Sequence, residues 1–350
     1  MSYPLNFTAA VLTSLDSDLE MMELSFDGNM KYGQVLVKLS YSGICGKQLD
    51  EINGVHGDDK FLPHLLGHEG VGEVQDIGPG VKKVKKGDKV ILHWMKGSGI
   101  ESDTPIYTSG GKRINAGWVT TFNEYAVVSE NRVTPFNGEE KAEYSLLGCA
   151  IPTALGMVFN DLNSKPYHKI LIIGAGGVGL FVLQALKLSC VDSVSVMDKS
   201  DAALKLSEQL GADNMFLLDD ENLKSKLLNL TEGKGFDKVI LTTGNKLAIE
   251  FGVELTKTPG ETLLMGVPKH DEKISVNANA VMHKKNLIGN LGGSIIPERD
   301  IPAYMKLLTD GRINTALLIN KIYKFSDINI AIDNFKKGAP GRTLIQFNEY

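Results

Sequence analysis

Three short stretches in the first half of the chain carry residues that could do chemistry. Gly43-Ile44-Cys45-Gly46 sets a cysteine just beyond a strand, flanked by glycines. Leu66-Gly67-His68-Glu69-Gly70 sets a His-Glu pair in a glycine turn ahead of a strand. Leu147-Gly148-Cys149 sets a second cysteine directly before a helix. Two thiolates and one imidazole are a good zinc set, and three protein ligands leave a fourth position for water or substrate, which marks a catalytic site rather than a structural one. Taken singly, a buried cysteine also reads as a small hydrophobe and a histidine as a satisfied loop residue. The three are far apart in sequence, so spacing does not decide between these readings. Cys190 follows a helix without a second ligand nearby and reads as structural.

A second chemistry lies near the middle of the chain. Lys169-Ile170-Leu171-Ile172-Ile173 is an apolar run that reads as a buried parallel strand. Gly174, Gly176 and Gly179 follow it in the pattern G-x-G-x-x-G, with Gly177 and Val178 inside the motif. In that pattern the first glycine makes the tight turn. The second lets backbone approach a pyrophosphate, and the third lets the next helix pack on the strand. The helix from Leu180 to Ser189 then offers its N-terminal amides to a phosphate. Val194-Ser195-Val196-Met197 gives a second strand, and Asp198 ends it 24 residues after Gly174, near the spacing expected of a ribose-binding acid. A carboxylate there accepts from both ribose hydroxyls but repels a 2′-phosphate by about 4 kcal/mol at ~4 Å and an effective dielectric of 20. NAD is therefore expected over NADP. Lys199, beside the acid, could touch such a phosphate and otherwise reads as a solvated lysine.

These residues need elements to hold them. From Ala9 to about Val128 the chain reads as short strands and turns, among them 34–40, 71–74, 89–92 and 122–128, in a β-rich, barrel-like domain. The stretch Gly97 to Gly117, rich in Gly, Ser, Thr and Asn, reads as a long loop. Beyond Cys149 a helix begins at Pro152 and leads into the glycine-rich strand. Helices at 180–189, 202–210, 221–230 and 247–256 then alternate with strands at 194–197, 214–218, 238–242 and 261–265, the mark of a doubly wound parallel sheet. After about Gly289 the pattern relaxes to a helix near 300–308 and a final strand near 342–347.

A chain of 350 residues suggests two domains, and its 43% hydrophobic and 23% charged residues are those of a globular protein. The net charge of −5 argues against nucleic acid or an anionic membrane as partner. The basic run Lys82-Lys83-Val84-Lys85-Lys86 reads as a solvated loop. Residues 1–12 lack a basic start and a long apolar stretch, and no segment approaches the ~18 apolar residues of a membrane helix. Three cysteines make no disulfide framework, so a reducing cytoplasm is the expected location.

Taken together, the motifs resemble the zinc-dependent alcohol dehydrogenases of the medium-chain dehydrogenase/reductase family over nearly the whole chain. They are G-I-C-G at 43–46, G-H-E-G at 67–70, V-x-x-I-G-P-G-V at 74–81, G-D-K-V at 87–90, G-C-A-I-P-T at 148–153 and G-A-G-G-V-G at 174–179. The resemblance implies an α/β architecture: a GroES-like catalytic domain from 1–150 and 290–350, with a Rossmann domain at 151–289 and the active site in the cleft. Cys45, His68 and Cys149 would hold zinc, with Glu69 behind it as a carboxylate and occasional ligand. Thr153, Val178 and Met265 would flank the nicotinamide, Asp198 would bind the adenosine ribose, and Arg342 would meet the pyrophosphate. Trp94 falls at a substrate-pocket wall. The reaction implied is hydride transfer between an alcohol, polyol or sugar-like alcohol and NAD, in a homo-oligomer, dimer or tetramer.

The chain departs from the family in two places. The loop 97–117 lacks the four close cysteines of a structural zinc, so one catalytic zinc per chain is expected and no structural one. Where the family commonly has Ser or Thr two residues after the first cysteine, followed by Asp, this chain has Lys47 and Gln48. Lys47 could take over the proton relay, receive an anionic group of the alcohol, or turn to solvent. Two rivals share the fold: a zinc-free quinone or enone reductase, which has no use for the three ligands, and a non-catalytic nucleotide-binding protein.

Overall fold

The computed structural model describes residues 4–55 and 57–347. They divide into two compact units, Met1–Ile151 with Ile296–Thr309 and Ile319–Tyr350, and Pro152–Ile295 with Asp310–Leu318. Among the described residues no single helix is long and apolar enough to cross a membrane.

The first unit is built from β-structure. Leu5–Leu12, Glu20–Phe26, Ile106–Ser109, Lys112–Asn115 and His64–Leu65 close into a barrel in that order. A larger sheet runs Val133–Phe136, Lys89–His93, Glu69–Ile77, Gln34–Gly43, Arg342–Gln346 and Ile319–Lys324, with Tyr125–Ser129 also paired to Gln34–Gly43. The strand Gln34–Gly43 organises this unit because both its faces are buried. Val35, Val37 and Leu39 enter one core with Val74, Val90 and Leu92, whereas Leu36 enters another with Phe7, Leu24 and Tyr107, as the two-residue period of a strand requires. Register then decides what gathers at its end. Ser42 pairs with Gly70, Gly43 with Leu344, and Glu69 with His93. The stretches carrying Cys45, His68 and Arg342 therefore meet at the same end of three neighbouring strands.

The expected loop 97–117 is corrected here. Ile106–Ser109 and Lys112–Asn115 form an antiparallel hairpin that completes the barrel. Gly110 and Gly111 lie between them with φ of 54° and 79°, the two positive values that a tight two-residue hairpin turn demands. The polar composition of the stretch concealed the pair, although Tyr107 and Ile114 point inward and are buried.

The second unit has a six-stranded sheet in the order Asn214–Leu217, Ser193–Asp198, Lys169–Ile173, Phe236–Leu241, Thr256–Leu264 and Lys285–Gly289. Every pairing in it is parallel. Helices follow the strands, among them Gly177–Leu188, Asp201–Gln209 and Lys246–Leu255. Two of these starts have a side-chain cap: Ser200 Oγ accepts from Ala203 N–H, and Asn245 Oδ1 accepts from Ala248 N–H.

Within the first unit the helix Pro297–Thr309 is tied by one carboxylate to segments before and after the strand Lys89–His93 of the larger sheet. Glu298 Oε1 accepts from Lys83 Nζ at 2.5 Å and from Ser98 N–H at 2.7 Å. Burial opposes the Glu298 charge, but Lys83 and the backbone amides outweigh it and hold its pKa at about 2. A carboxyl depressed in the folded state stabilises above its unfolded pKa and loses that contribution as pH falls through the folded one. Scanning calorimetry of Glu298→Gln should accordingly show a lower Tm than wild type above pH 5, with the gap narrowing steadily towards pH 3. A gap that widens with acid would contradict the ion pair.

Candidate metal centre and nucleotide loop

Cys45 caps the seven-residue helix Gly46–Ile52, in extended backbone with φ −119° and ψ 154°. Its N–H donates to Gln48 Oε1 at 2.8 Å, which fixes the first turn. His68 precedes the strand Glu69–Ile77. Cys149 follows the 3₁₀ turn Ala142–Gly148. Gly148 is what lets that turn end here, since a Cβ at this position would lie 2.2 Å from Leu92 O and 2.7 Å from Glu69 Cα. The three donor atoms of Cys45, His68 and Cys149 all lie within 4.8 Å of one another. A tetrahedral zinc with Zn–S of about 2.3 Å wants its sulfurs ~3.7 Å apart, so small adjustments suffice.

The electrostatics of the cluster point to a cation. The two thiols behave as a coupled pair. Cys149 donates to the Cys45 sulfur and, with His68, holds the Cys45 thiol well below its ordinary range despite burial. The hydrogen bond to Cys45, together with burial and the Cys45 charge, pushes the Cys149 thiol well above it. For His68 burial disfavours the imidazolium, but Cys45, Glu69 and Glu51 outweigh this and raise its pKa. His68 Nε2 is buried without a hydrogen-bond partner. An orphaned imidazole nitrogen between two soft sulfur donors fits zinc.

Glu69 and Arg342 lie behind this cluster. Glu69 is fully buried, and burial raises its pKa while Arg342 pulls against that rise. Its Oε1 accepts from Arg342 Nη2 and its Oε2 from Ala150 N–H at 3.1 Å. Both carboxylate oxygens are thereby engaged, and Glu69 stands outside the three-donor group. Arg342, matched by resemblance to a pyrophosphate ligand, is 2% exposed, with its Nε unpartnered. Lys47 is half-buried, and its charge favours ionisation of Glu51, one helical turn on, against the burial that raises the Glu51 pKa. Trp94 is half-buried and its carbonyl accepts from Arg132.

In the second unit the glycine loop meets the requirements of a phosphate cradle. Gly174 has φ of 103°, and a Cβ on Gly179 would lie 2.0 Å from Gly174 O, so helix and turn touch backbone to backbone. A Cβ on Gly176 would meet nothing within 4 Å, which leaves open space beside the amides that begin the helix with Gly177 and Val178. Asp198 braces the loop: Oδ2 accepts from Ala175 N–H at 2.6 Å and Oδ1 from Ser200 N–H at 2.8 Å. Lys199 is exposed, and Met265 is half-buried with its N–H on Leu241 O. Thr153 Oγ1 is buried without a partner, as a hydroxyl awaiting a polar ligand would be.

The sequence marks Gln48 only as a departure from the family pattern, and Thr242 not at all. Gln48, fully buried, places its Nε2 2.6 Å from His68 Nδ1; the S/T/D/N-x-x-E/Q rule for helix starts passes over it because the capping residue is cysteine. Thr242 donates from Oγ1 to Gly174 O at 2.8 Å and so secures the turn, at a distance in sequence that no local motif encodes.

Removing one member of a buried ion pair strands the other and costs about 3–5 kcal/mol. Chemical denaturation of Arg342→Ala should show a loss of that order, whereas the double variant Glu69→Leu/Arg342→Met should recover much of it. Equal stability of Arg342→Ala and wild type would contradict the pairing.

Comparison with known proteins agrees with this geometry. Residues 31–138 match the family profile described as alcohol dehydrogenase GroES-like domain, and residues 177–310 match that of zinc-binding dehydrogenase. S-(hydroxymethyl)glutathione dehydrogenases of Synechocystis sp. and Paracoccus denitrificans are each 26% identical, over 97% of this chain and 99% of theirs. Benzyl alcohol dehydrogenase from Acinetobacter calcoaceticus superposes with a TM-score of 0.88 at 25% identity, covering 98% of this chain and all of that one. A zinc-binding-domain alcohol dehydrogenase protein from Burkholderia ambifaria shares the fold at a TM-score of 0.90 and 23% identity, covering 99% of this chain and 100% of that one. The chain thus belongs to the zinc-dependent alcohol dehydrogenases of the medium-chain dehydrogenase/reductase family, oxidoreductases that pass a hydride between an alcohol and a nicotinamide cofactor.

Proposed function

We propose that Cys45, His68 and Cys149 hold one catalytic zinc per chain, and that Thr153, Gly174, Gly176, Gly177, Val178, Gly179, Asp198 and Met265 hold NAD. The observation that carries this is the trio of soft donors within 4.8 Å around an orphaned imidazole nitrogen. When bound, the metal supplies a Lewis acid that makes an alcohol hydroxyl more acidic, and the nicotinamide supplies the hydride acceptor. The chain's own residues bind and orient. Cys45 and Cys149 bring thiolate charge, and Glu69, held by Arg342, accepts from the Ala150 N–H behind them. Asp198 holds the glycine loop and offers a carboxylate to the ribose. Lys47 and Glu51, one turn apart, handle the alcohol's proton. The first unit is then the catalytic domain and the second the nucleotide domain. A zinc-free reductase or a non-catalytic binder has no need of three soft donors gathered in one place.

Elemental analysis of protein purified without added metal should give about one zinc per chain. Cys149→Ala should lose most of that zinc and its NAD-linked alcohol oxidation while remaining folded, and in the same assay Lys47→Ala should lower kcat without moving KM. Fully active, metal-free protein would contradict the assignment.

The active thiols also need a reducing compartment, which favours the cytoplasm. A homodimer is favoured by the sheet edge. Lys285–Gly289 is the last strand of the second unit's sheet, and its residues Leu287 and Ile288, with Met282 and Leu291 beside it in sequence, are exposed. An apolar strand with an unpaired edge is a template for another strand. Light scattering should give twice 38.1 kDa, and Ile288→Lys should shift it towards the monomer; a monomeric wild type would contradict this.

A further inference from the structure

One amide serves two neighbours at the metal cluster. Gln48 Oε1 accepts from Cys45 N–H at 2.8 Å, and Gln48 Nε2 lies 2.6 Å from His68 Nδ1. A backbone N–H is a donor in every state, so the amide oxygen faces Cys45 and the amide nitrogen donates to His68 Nδ1. His68 must then carry its proton on Nε2, the ring nitrogen that is buried without a partner.

Metal binding at Nε2 demands the opposite arrangement. A neutral imidazole that gives its Nε2 lone pair to a cation keeps its proton on Nδ1 and donates it to an outer acceptor. Here the outer group at 2.6 Å is an amide nitrogen, which has only protons to offer. Turning the amide over relieves His68 but sets the NH₂ against the Cys45 N–H. In this placement the amide turns one atom to each neighbour, so its oxygen meets one donor and its NH₂ the other, whereas a carboxylate has an oxygen for each.

Resting on the zinc assignment above, we propose that Gln48 is a positioning residue that stabilises the metal-free tautomer of His68 and so loosens this chain's hold on zinc. Outer partners of ligating histidines are typically worth 10–100-fold in metal affinity. Gln48→Glu, which supplies the second oxygen, should bind zinc tighter by about that factor in competition with a chromophoric chelator. Added negative charge alone would also tighten binding, so the tautomer is the discriminating readout. Ring ¹⁵N NMR of the metal-free protein at pH 8.5, with His68 assigned through His68→Asn, should show Nε2 protonated and Nδ1 bare in wild type. The pattern should reverse in Gln48→Glu. A protonated Nδ1 in metal-free wild type, whether the ring is neutral or charged, overturns the proposal. So does an affinity for Gln48→Glu within twofold of wild type. Should the variant fail to fold, the wild-type tautomer alone decides. A wild type that takes up no zinc refutes the metal assignment, and the tautomer still decides this inference.

Discussion

Too much negative charge in too little space governs the first unit. Two thiols, an imidazole nitrogen with no partner and a fully buried carboxylate crowd one end of a sheet. Arg342 pairs with the carboxylate and also favours the charged form of the two cysteines. Burying a charge without a partner is expensive, and the cluster shares what it has: Cys45 ionises early because Cys149 stays protonated beside it. A divalent cation resolves the conflict at one stroke, since it turns both sulfurs into favourable ligands. Stability and catalysis thus draw on one arrangement. The Arg342–Glu69 pair holds the carboxylate away from the sulfurs, and Gly148 lets the Cys149 turn close over Glu69.

Strand register is what assembles that end from distant sequence. Cys45, His68 and Cys149 share no motif, yet the pairing of Ser42 with Gly70 and of Gly43 with Leu344 fixes where three of the four contributing segments emerge. A one-residue slip would turn Val35, Val37 and Leu39 out of their core. Apolar burial in the strand Gln34–Gly43 thereby determines donor geometry many residues away.

Much of this was legible in the sequence, and for definite reasons. The second unit announces itself because Lys169–Ile173, Ser193–Asp198 and Phe236–Leu241 are short runs rich in apolar residues and the helices Asp201–Gln209 and Lys246–Leu255 start at side-chain caps. The outer strand Lys285–Gly289 carries no such run and was not legible. The glycine loop follows from steric rules that involve only its own backbone. Cys45, His68 and Cys149 were legible as chemistry-bearing residues, but their convergence depends on register, which no local pattern encodes. The hairpin from Ile106 to Asn115 was hidden because its strands are four residues long and mostly polar, with Tyr107 and Ile114 alone entering the core. Gln48 was legible only as a departure from the family pattern: its importance lies in which neighbour its amide oxygen and nitrogen each face, which only the folded geometry supplies.

X-ray absorption at the zinc edge of the purified enzyme tests the central claim most directly. Two sulfurs at about 2.3 Å and one imidazole nitrogen at about 2.0–2.1 Å, with a light atom completing four-coordination, are the predicted shell. A shell of oxygen and nitrogen alone, or one of four sulfurs, would contradict the account.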